Sequence, residues 1–498
     1  MCPSCPRIAK MQLSSLCVYT LIFTLLLPAS SQAAVLSRRP RDISMFAALF
    51  QWFDSALEML FTYFMPIQSG SNRKKKVPAS RVSYKYYQLL RIRPTNENEL
   101  QEIESLEDEP GLEFWNPPIM NRSADVVAPP DVAEYLKEYL SEKDIEFTVL
   151  SSDLQADIKK QNPKIAGTNF RSNFLRAENH SLSWNRFHRY RDIMDYLNYL
   201  THSAPNLISI ITIGKSNEGR LLQVAKVTSG KKKNNPAIWV DGGMHGREWI
   251  APTTALFILK QLVENYQTNK GVVDSLDWYI MPLANPDGYE FSHISDRFWR
   301  KNRSKKPEDV EYDEYADEAR FLWADNEACN GVDLNRNFDY HWGEIGSSND
   351  PCKPNFAGTK PFSEPESRAI SEFVMENSDK IKAFITLHSF SQMLLVPWGY
   401  TKQIAKDYDD LIFVARKAAE ALQKVHGTEY TVGTSPTLFY ARSGSSDDWA
   451  KGRAGVKYSF TIELRDKGDY GFLLPASQII PTGRETFAAL KSWAEECC

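Results

Sequence analysis

The sequence is short of several things that would point elsewhere. It has no charge excess: 59 Lys and Arg stand against 63 Asp and Glu, for a net charge of −4. A nucleic-acid footprint needs a concentrated basic face, so nucleic acid is excluded as a partner. A balanced chain with 42% hydrophobic residues is equally unlike a disordered polyanion. The apolar run Leu16–Pro28 falls short of the ~20 residues that a membrane span requires. No His-Glu-x-x-His string occurs, which removes the endopeptidase zincins. Cysteine is scarce, with seven among 498 residues. At that length two or more domains are expected.

What is present begins with a leader. Arg7 and Lys10 precede the apolar run, and "ASSQAA" (29–34) offers small residues for cleavage near Ala33 or Ala34. Residues 1–34 read as a secretory signal peptide, the alternative being an N-terminal membrane anchor. Cys2, Cys5 and Cys17 leave with it, so Cys329, Cys352, Cys497 and Cys498 remain in a compartment that permits disulfides. N-x-S sequons begin at Asn121, Asn179 and Asn302. Residues 35–81 form an extension. Within 42–66, Gln51, Asp54, Ser55, Glu58 and Thr62 recur at helical steps on one face of an otherwise apolar segment. That helix either packs on a neighbouring domain or contacts a membrane surface. "SGSNRKKKVPAS" (69–80) follows as an exposed linker.

Residues 82–161 read as a small α+β unit. "VSYKYYQLLRIRP" alternates like a strand, "NENELQEIESLED" and "DVAEYLKEYLSEK" are helical, and "GLEFWNPP", "SADVVAPP" and "IEFTVLSSD" are strands. The order β-α-β-β-α-β is the split βαβ, ferredoxin-like pattern. "LQADIKKQNP" reads as a connecting helix, and 162–176 as a polar connection. From 177 onward the texture is α/β. "AIWVDGGM", "DWYIMPLAN", "KAFITLHSF" and "KYSFTIELRD" are short apolar strands, suited to burial on both faces. The helices between them imply a mixed, mostly parallel central sheet with helices on both faces. Chemistry in such a sheet belongs at the carboxyl ends of the strands.

His245 and Glu248 stand just past one such strand, and His388 stands near the end of another. Two histidines and one carboxylate are a catalytic zinc set that leaves one position open for water. A lone His-x-x-Glu is a weak signal, since chance matches are frequent and a single strand-end histidine is more often structural.

"GGMHGREW", "FWRKNRS", "GVDLNRNFD", "LHSFSQMLLVPWG" and "YSFTIELRDKGDYGFLLPASQIIPT" together resemble the zinc metallocarboxypeptidases of the pancreatic and digestive type, over roughly 180–495. The 82–161 unit resembles that family's inhibitory pro-segment. Carboxypeptidase A is itself a standard example of a His₂Glu zinc site. The resemblance implies one zinc per chain on His245, Glu248 and His388, with Glu463 as general base. It implies that Arg300 stabilises the oxyanion, and that Asn335 and Arg336 clamp the substrate's terminal carboxylate, which suits an arginine fork. Tyr440 matches a mobile tyrosine that closes over the substrate, and Arg247 and Arg297 match outer contacts to the peptide. Phe390 stands where many relatives carry tyrosine. Cys329 and Cys352 match the family's disulfide, while Cys497 and Cys498 have no assigned partner.

The expected protein is therefore a secreted zinc exopeptidase made as a zymogen, acting on peptide and protein C-termini. A trypsin-like protease would cut after Arg176, with Arg171 or trimming from Lys160 as alternatives. Asp447 matches the aspartate of basic-preferring relatives, so C-terminal Lys or Arg is the expected preference. Arg442 qualifies this: paired with Asp447 it neutralises the floor, and facing the pocket alone it favours acidic ends, with a neutral preference as the remaining alternative. A catalytically silent binding protein on the same fold would have lost a ligand, the base or the clamp, and none is lost.

Overall fold

The computed structural model describes residues 81–163, 182–305 and 329–497. The leader, the 42–66 segment, the basic linker, Lys164, Arg171, Arg176, Asn179 and Cys498 lie outside them. Among the described residues, no helix is long and apolar enough to cross a membrane.

The small domain follows the order read from its sequence: β1 (Gln88–Ile92), α1 (Glu97–Glu104), β2 (Glu113–Phe114), β3 (Ala124–Ala128), α2 (Pro130–Glu142), β4 (Phe147–Ser151). The strands lie in the order β2-β3-β1-β4, every pair antiparallel. Asn96 starts α1 by accepting from Glu99 N at 3.0 Å, and Pro130 starts α2 at a position where no amide is needed. Ala133, Leu136 and Leu140 recur on one face of α2 and pack on Leu90, Ile92 and Val126. All five residues of β3 are buried, so its second face needs a partner. Leu89 and Val127 supply that face, packing with Trp115 against Phe298 and Phe472 of the large domain. Arg91 bridges the same seam, holding Asp125 at 2.7 Å and Gly468 O at 2.9 Å.

α3 (Leu154–Gln161) begins at Asp153, whose side chain caps it, and buries Leu154, Ile158 and Gln161. Gln161 Nε2 donates to Phe472 O at 2.9 Å, which fixes the end of the helix to the large domain. Lys159 and Lys160 lie in this helix, and Lys160 pairs with Asp157 at 2.9 Å. Trimming from Lys160 would therefore have to unwind an ordered turn.

The large domain is built on an eight-stranded sheet ordered β11-β10-β12-β9-β7-β8-β6-β5. Its centre is parallel: β8 (Asp277–Met281), β7 (Ala237–Gly242), β9 (Ile381–Ser389) and β12 (Tyr458–Leu464). β6 (Leu221–Val227) joins β8 antiparallel and β5 (Ile208–Lys215) joins β6. At the opposite edge β10 (Met393–Val396) runs antiparallel to β12, and β11 (Thr431–Thr434) parallel to β10. Successive side chains of β7 serve different layers. Ile238 and Val240 meet α4 (Tyr190–Ser203), α5 (Ile250–Val263), α7 (Tyr408–His426) and α8 (Ile479–Cys497) in one core. Trp239 points to the other core, with Phe384, Trp449 and α6 (Pro365–Glu376). With both faces covered, the central strands are rich in apolar residues, and their buried polar members, such as Asp241 and Thr386, bond to one another at 2.8 Å.

The Cys329–Cys352 disulfide is present. The Asn302 sequon is not usable in this fold: Asn302 is fully buried and donates to Glu364 at 2.6 Å and Glu366 at 3.0 Å. Asn121 is exposed.

Candidate active site

β7 ends at Gly242, and the chain turns through 243–249 before α5 begins. This turn presents His245 and Glu248 at the carboxyl edge of the sheet. Gly246 permits it, because a Cβ there would lie 2.4 Å from Gly288 O. Gly246 N donates to Arg300 O at 3.0 Å, which ties the turn to the Arg300 loop. His388 is the penultimate residue of β9, and Glu463 holds the same place in β12. The parallel register sets Glu463 directly beside His388, one strand spacing away.

His245, Glu248 and His388 are buried, and one ligand atom from each falls within 4.8 Å of the others. His245 Nδ1 lies 2.7 Å from Glu248 Oε1, His388 Nδ1 lies 3.0 Å from Glu248 Oε2, and the two Nδ1 atoms are 3.1 Å apart. A carboxylate only accepts, so Asp333 Oδ1, 3.0 Å from His245 Nε2, places the imidazole proton on Nε2. Nδ1 then keeps its lone pair toward His388 and Glu248. Two buried nitrogen donors and a buried carboxylate facing one point suit a zinc ion, with a carboxylate behind one histidine as outer support. Burial works to raise the Glu248 carboxyl, but the two imidazoles outweigh it and hold it well below its ordinary range.

Asp333 is the residue that the motifs did not single out. It is fully buried, accepts from Asn335 N at 2.9 Å, and holds Arg300 through Nε at 3.1 Å and Nη2 at 2.8 Å. Its carboxyl is pushed upward by burial and pulled far below the ordinary range by Arg300, His245 and Arg336. Its only sequence signal was its place two residues before Asn335 in "GVDLNRN".

The cavity above the ligand set is lined by Arg300, Asn335, Arg336, Tyr440, Arg442 and Glu463, among others. Arg336 donates to Tyr440 Oη at 3.0 Å, and Asn335 accepts from Ser446 N at 2.9 Å. Burial and then the Glu248 charge raise the Glu463 carboxyl to about 8, against the pull of Arg442 and Arg300. Phe390 lines the cavity between Phe472, 5.1 Å away, and Trp115 of the small domain. Trp115, Asn116 and Pro117 complete the wall, so the small domain sits over the opening.

Three residues matched to substrate contacts stand elsewhere. Arg247 donates to Glu113 of the small domain at 2.8 Å and lies over the Phe472 ring. Arg297 is buried under Trp249 and donates to Gln161 and Arg247 O, each at 2.9 Å. Neither lines the cavity, because the small domain and its helix α3 occupy them. Asp447 is also off the wall, behind Arg442, whose Nη2 donates to it at 3.1 Å. The free anionic floor on which a Lys or Arg preference rested is therefore not there.

A parallel-centred α/β sheet with a His₂Glu cluster at its carboxyl edge, covered by a small antiparallel domain, defines a capped zinc hydrolase. Residues 193–489 match the family model for zinc carboxypeptidases, and residues 90–161 match the model for carboxypeptidase activation peptides. The chain belongs to the zinc carboxypeptidase family, and carries an activation peptide as a zymogen does. Carboxypeptidase B of Astacus astacus is 43% identical over 310 residues, covering 62% of this chain and 96% of that protein. Carboxypeptidase A1 of Bos taurus is 37% identical over 407 residues, covering 80% of this chain and 91% of that protein. The crystal structure of thrombin activatable fibrinolysis inhibitor superposes with a TM-score of 0.73 at 32% identity, over 83% of this chain and 99% of that one.

Proposed function

We propose that the chain is a secreted zymogen whose mature part, 177–498, removes the C-terminal residue of peptides and proteins with Glu463 as general base. The observation that carries this is Glu463 beside His388 in register, on the wall shared with Arg300, Asn335 and Arg336. Zinc held by His245, Glu248 and His388 would acidify the attacking water and polarise the scissile carbonyl. Glu463 would take a proton from the attacking water and return it to the departing amine. Arg300, its guanidinium aligned by Asp333, supplies positive charge where the carbonyl oxygen becomes negative. Arg336 offers its fork to the substrate's terminal carboxylate, and Asn335 adds an amide. The Arg336 bond to Tyr440 yields as the carboxylate arrives, which frees Tyr440 to cover the substrate.

The 82–161 unit is the inhibitory cap. While it is docked, its residues 115–117 stand in the opening, Glu113 holds Arg247, and Trp115 packs on Phe298 and Phe472. Its departure frees Arg247 and the Phe390 ring for outer residues of a peptide. A cut after Arg176 by a trypsin-like protease removes the tether and its high effective concentration. Residues 1–34 direct secretion. Limited trypsin digestion with N-terminal sequencing and an activity time course tests this reading. New activity should appear together with a chain beginning at residue 177. Full activity in the intact chain would show that 82–161 does not inhibit.

A further inference from the structure

Arg442 is 3% exposed, yet it is part of the cavity wall that carries the zinc ligands and the carboxylate clamp. Its Nη2 donates to Asp447 Oδ2 and to Thr461 Oγ1, each at 3.1 Å, while its Nε has no hydrogen-bond partner among the described residues. An unused N–H in a buried guanidinium costs free energy until an acceptor meets it. Asp447 stands behind the guanidinium and is kept from the cavity. Burial alone would raise the Asp447 carboxyl, but Arg442 outweighs it and keeps it ionised. Asp448 adds no free charge to the pocket: burial and then Asp447 push its carboxyl up to about 8, and it already accepts from Gly399 N at 2.9 Å and Tyr400 N at 3.0 Å. A ligand side chain entering here therefore meets the guanidinium side of a balanced ion pair, in which Arg442 Nε and Asp447 Oδ1 are both buried without a hydrogen-bond partner among the described residues. The rest of the wall includes two further guanidinium groups, Arg300 and Arg336. A cationic side chain on the substrate would meet three guanidinium groups in a wall whose carboxylates, Glu248 and Glu463, face the ligand set.

Resting on the carboxypeptidase reading above, we propose that Arg442 is the specificity-determining residue. It selects C-terminal residues whose side chains end in an acceptor oxygen, glutamine and glutamate, over lysine and arginine. The ion pair with Asp447 removes the net charge that would make glutamate far superior to glutamine, so the shared feature is the oxygen. Removing Arg442 should reverse the preference, because Asp447 would then face the cavity unpaired. Removing the Asp447 charge should leave the guanidinium unbalanced and widen the margin of glutamate over glutamine.

The test uses trypsin-treated full-length protein and N-blocked peptides that differ only in their last residue: Gln, Glu, Lys, Arg, Leu and Phe. Turnover is read as kcat/KM. Binding is read separately as Kd by calorimetry on the zinc-loaded Glu463→Gln form, which holds peptides without cleaving them. Gln and Glu ends should lead Lys and Arg ends by about tenfold or more in both readouts, since a site with an unmet donor rejects a side chain that cannot accept. Arg442→Ala should bring Lys and Arg to the front, and Asp447→Asn should favour Glu over Gln. Lys or Arg ends that bind or turn over best in the unsubstituted protein overturn the assignment, whatever the variants do. Binding in the expected order without release of any residue supports the pocket assignment and counts against the exopeptidase reading instead.

Discussion

Asp333→Asn changes one atom and no volume, yet it strikes the support of both the metal site and the oxyanion group. Asp333 Oδ1 accepts from His245 Nε2 and Asn335 N, and Oδ2 accepts twice from Arg300. An asparagine has one acceptor oxygen for these two sets of donors. If the oxygen faces Arg300, the amide N–H₂ faces His245 Nε2. The imidazole then has to move its proton to Nδ1, which occupies the lone pair needed for zinc. If the oxygen faces His245, the amide donates toward two guanidinium N–H groups, and Arg300 is left without its counter-charge. Loss of such outer support typically weakens metal affinity 10- to 100-fold, or about 1.4–2.7 kcal/mol. The assay is competition with a chromogenic zinc chelator on trypsin-treated protein, read beside kcat/KM under saturating zinc. Zinc affinity should fall by that factor, and kcat/KM should remain depressed when zinc is restored, because Arg300 is still misaligned. Unchanged zinc affinity would refute the argument that Asp333 sets the tautomer of His245.

Three further outcomes follow. Glu463→Gln should keep one zinc per chain by metal analysis and lose on the order of 10²–10⁴ in kcat, the usual share of general base catalysis; near-normal turnover would remove Glu463 from the mechanism. In the unsubstituted enzyme Glu463 must be ionised to accept a proton, and its carboxyl is raised from 4.5 to about 8 by burial and Glu248. A bound cation opposes that rise, so the acid limb of kcat/KM should lie between those values and vanish as a titration in the Gln variant. Glu113 makes retention of the cap pH-dependent: docked, its carboxyl is raised from 4.5 to about 7 by burial, with Asp296 adding to the rise and Arg247 opposing it. Docking thus takes up a proton, and the contribution is complete below the undocked value and lost as pH rises through about 7. The cleaved cap should dissociate more readily near about pH 8 than near about pH 5 in gel filtration, and Glu113→Gln should flatten that difference.

The α/β character, the split βαβ unit and the ligand triad were legible because each is written in local pattern. β7, β9 and β12 are buried almost throughout, so their sequences are rich in apolar residues, with Asp241, Thr386, Ser459 and Thr461 as buried polar exceptions. His245 and Glu248 share one turn, and His388 and Glu463 sit at strand ends, where an α/β sheet places its chemistry. The hairpin of β5 and β6 escaped notice because its edge position leaves exposed residues among buried ones, as in the exposed Ser209 and Thr212. Motif matching also named Arg247, Arg297 and Asp447, but the matches carry no information on what each group already holds. The small domain and α3 engage Arg247 and Arg297, and Arg442 engages Asp447. Asp333 reaches His245 across 88 residues of sequence, and Glu463 meets His388 only through strand register. Periodicity reports which face of an element is buried. Which buried charges pair, and which of them is left facing the cavity, is decided when separate elements pack, because a buried ion must find its partner wherever the fold brings one within reach.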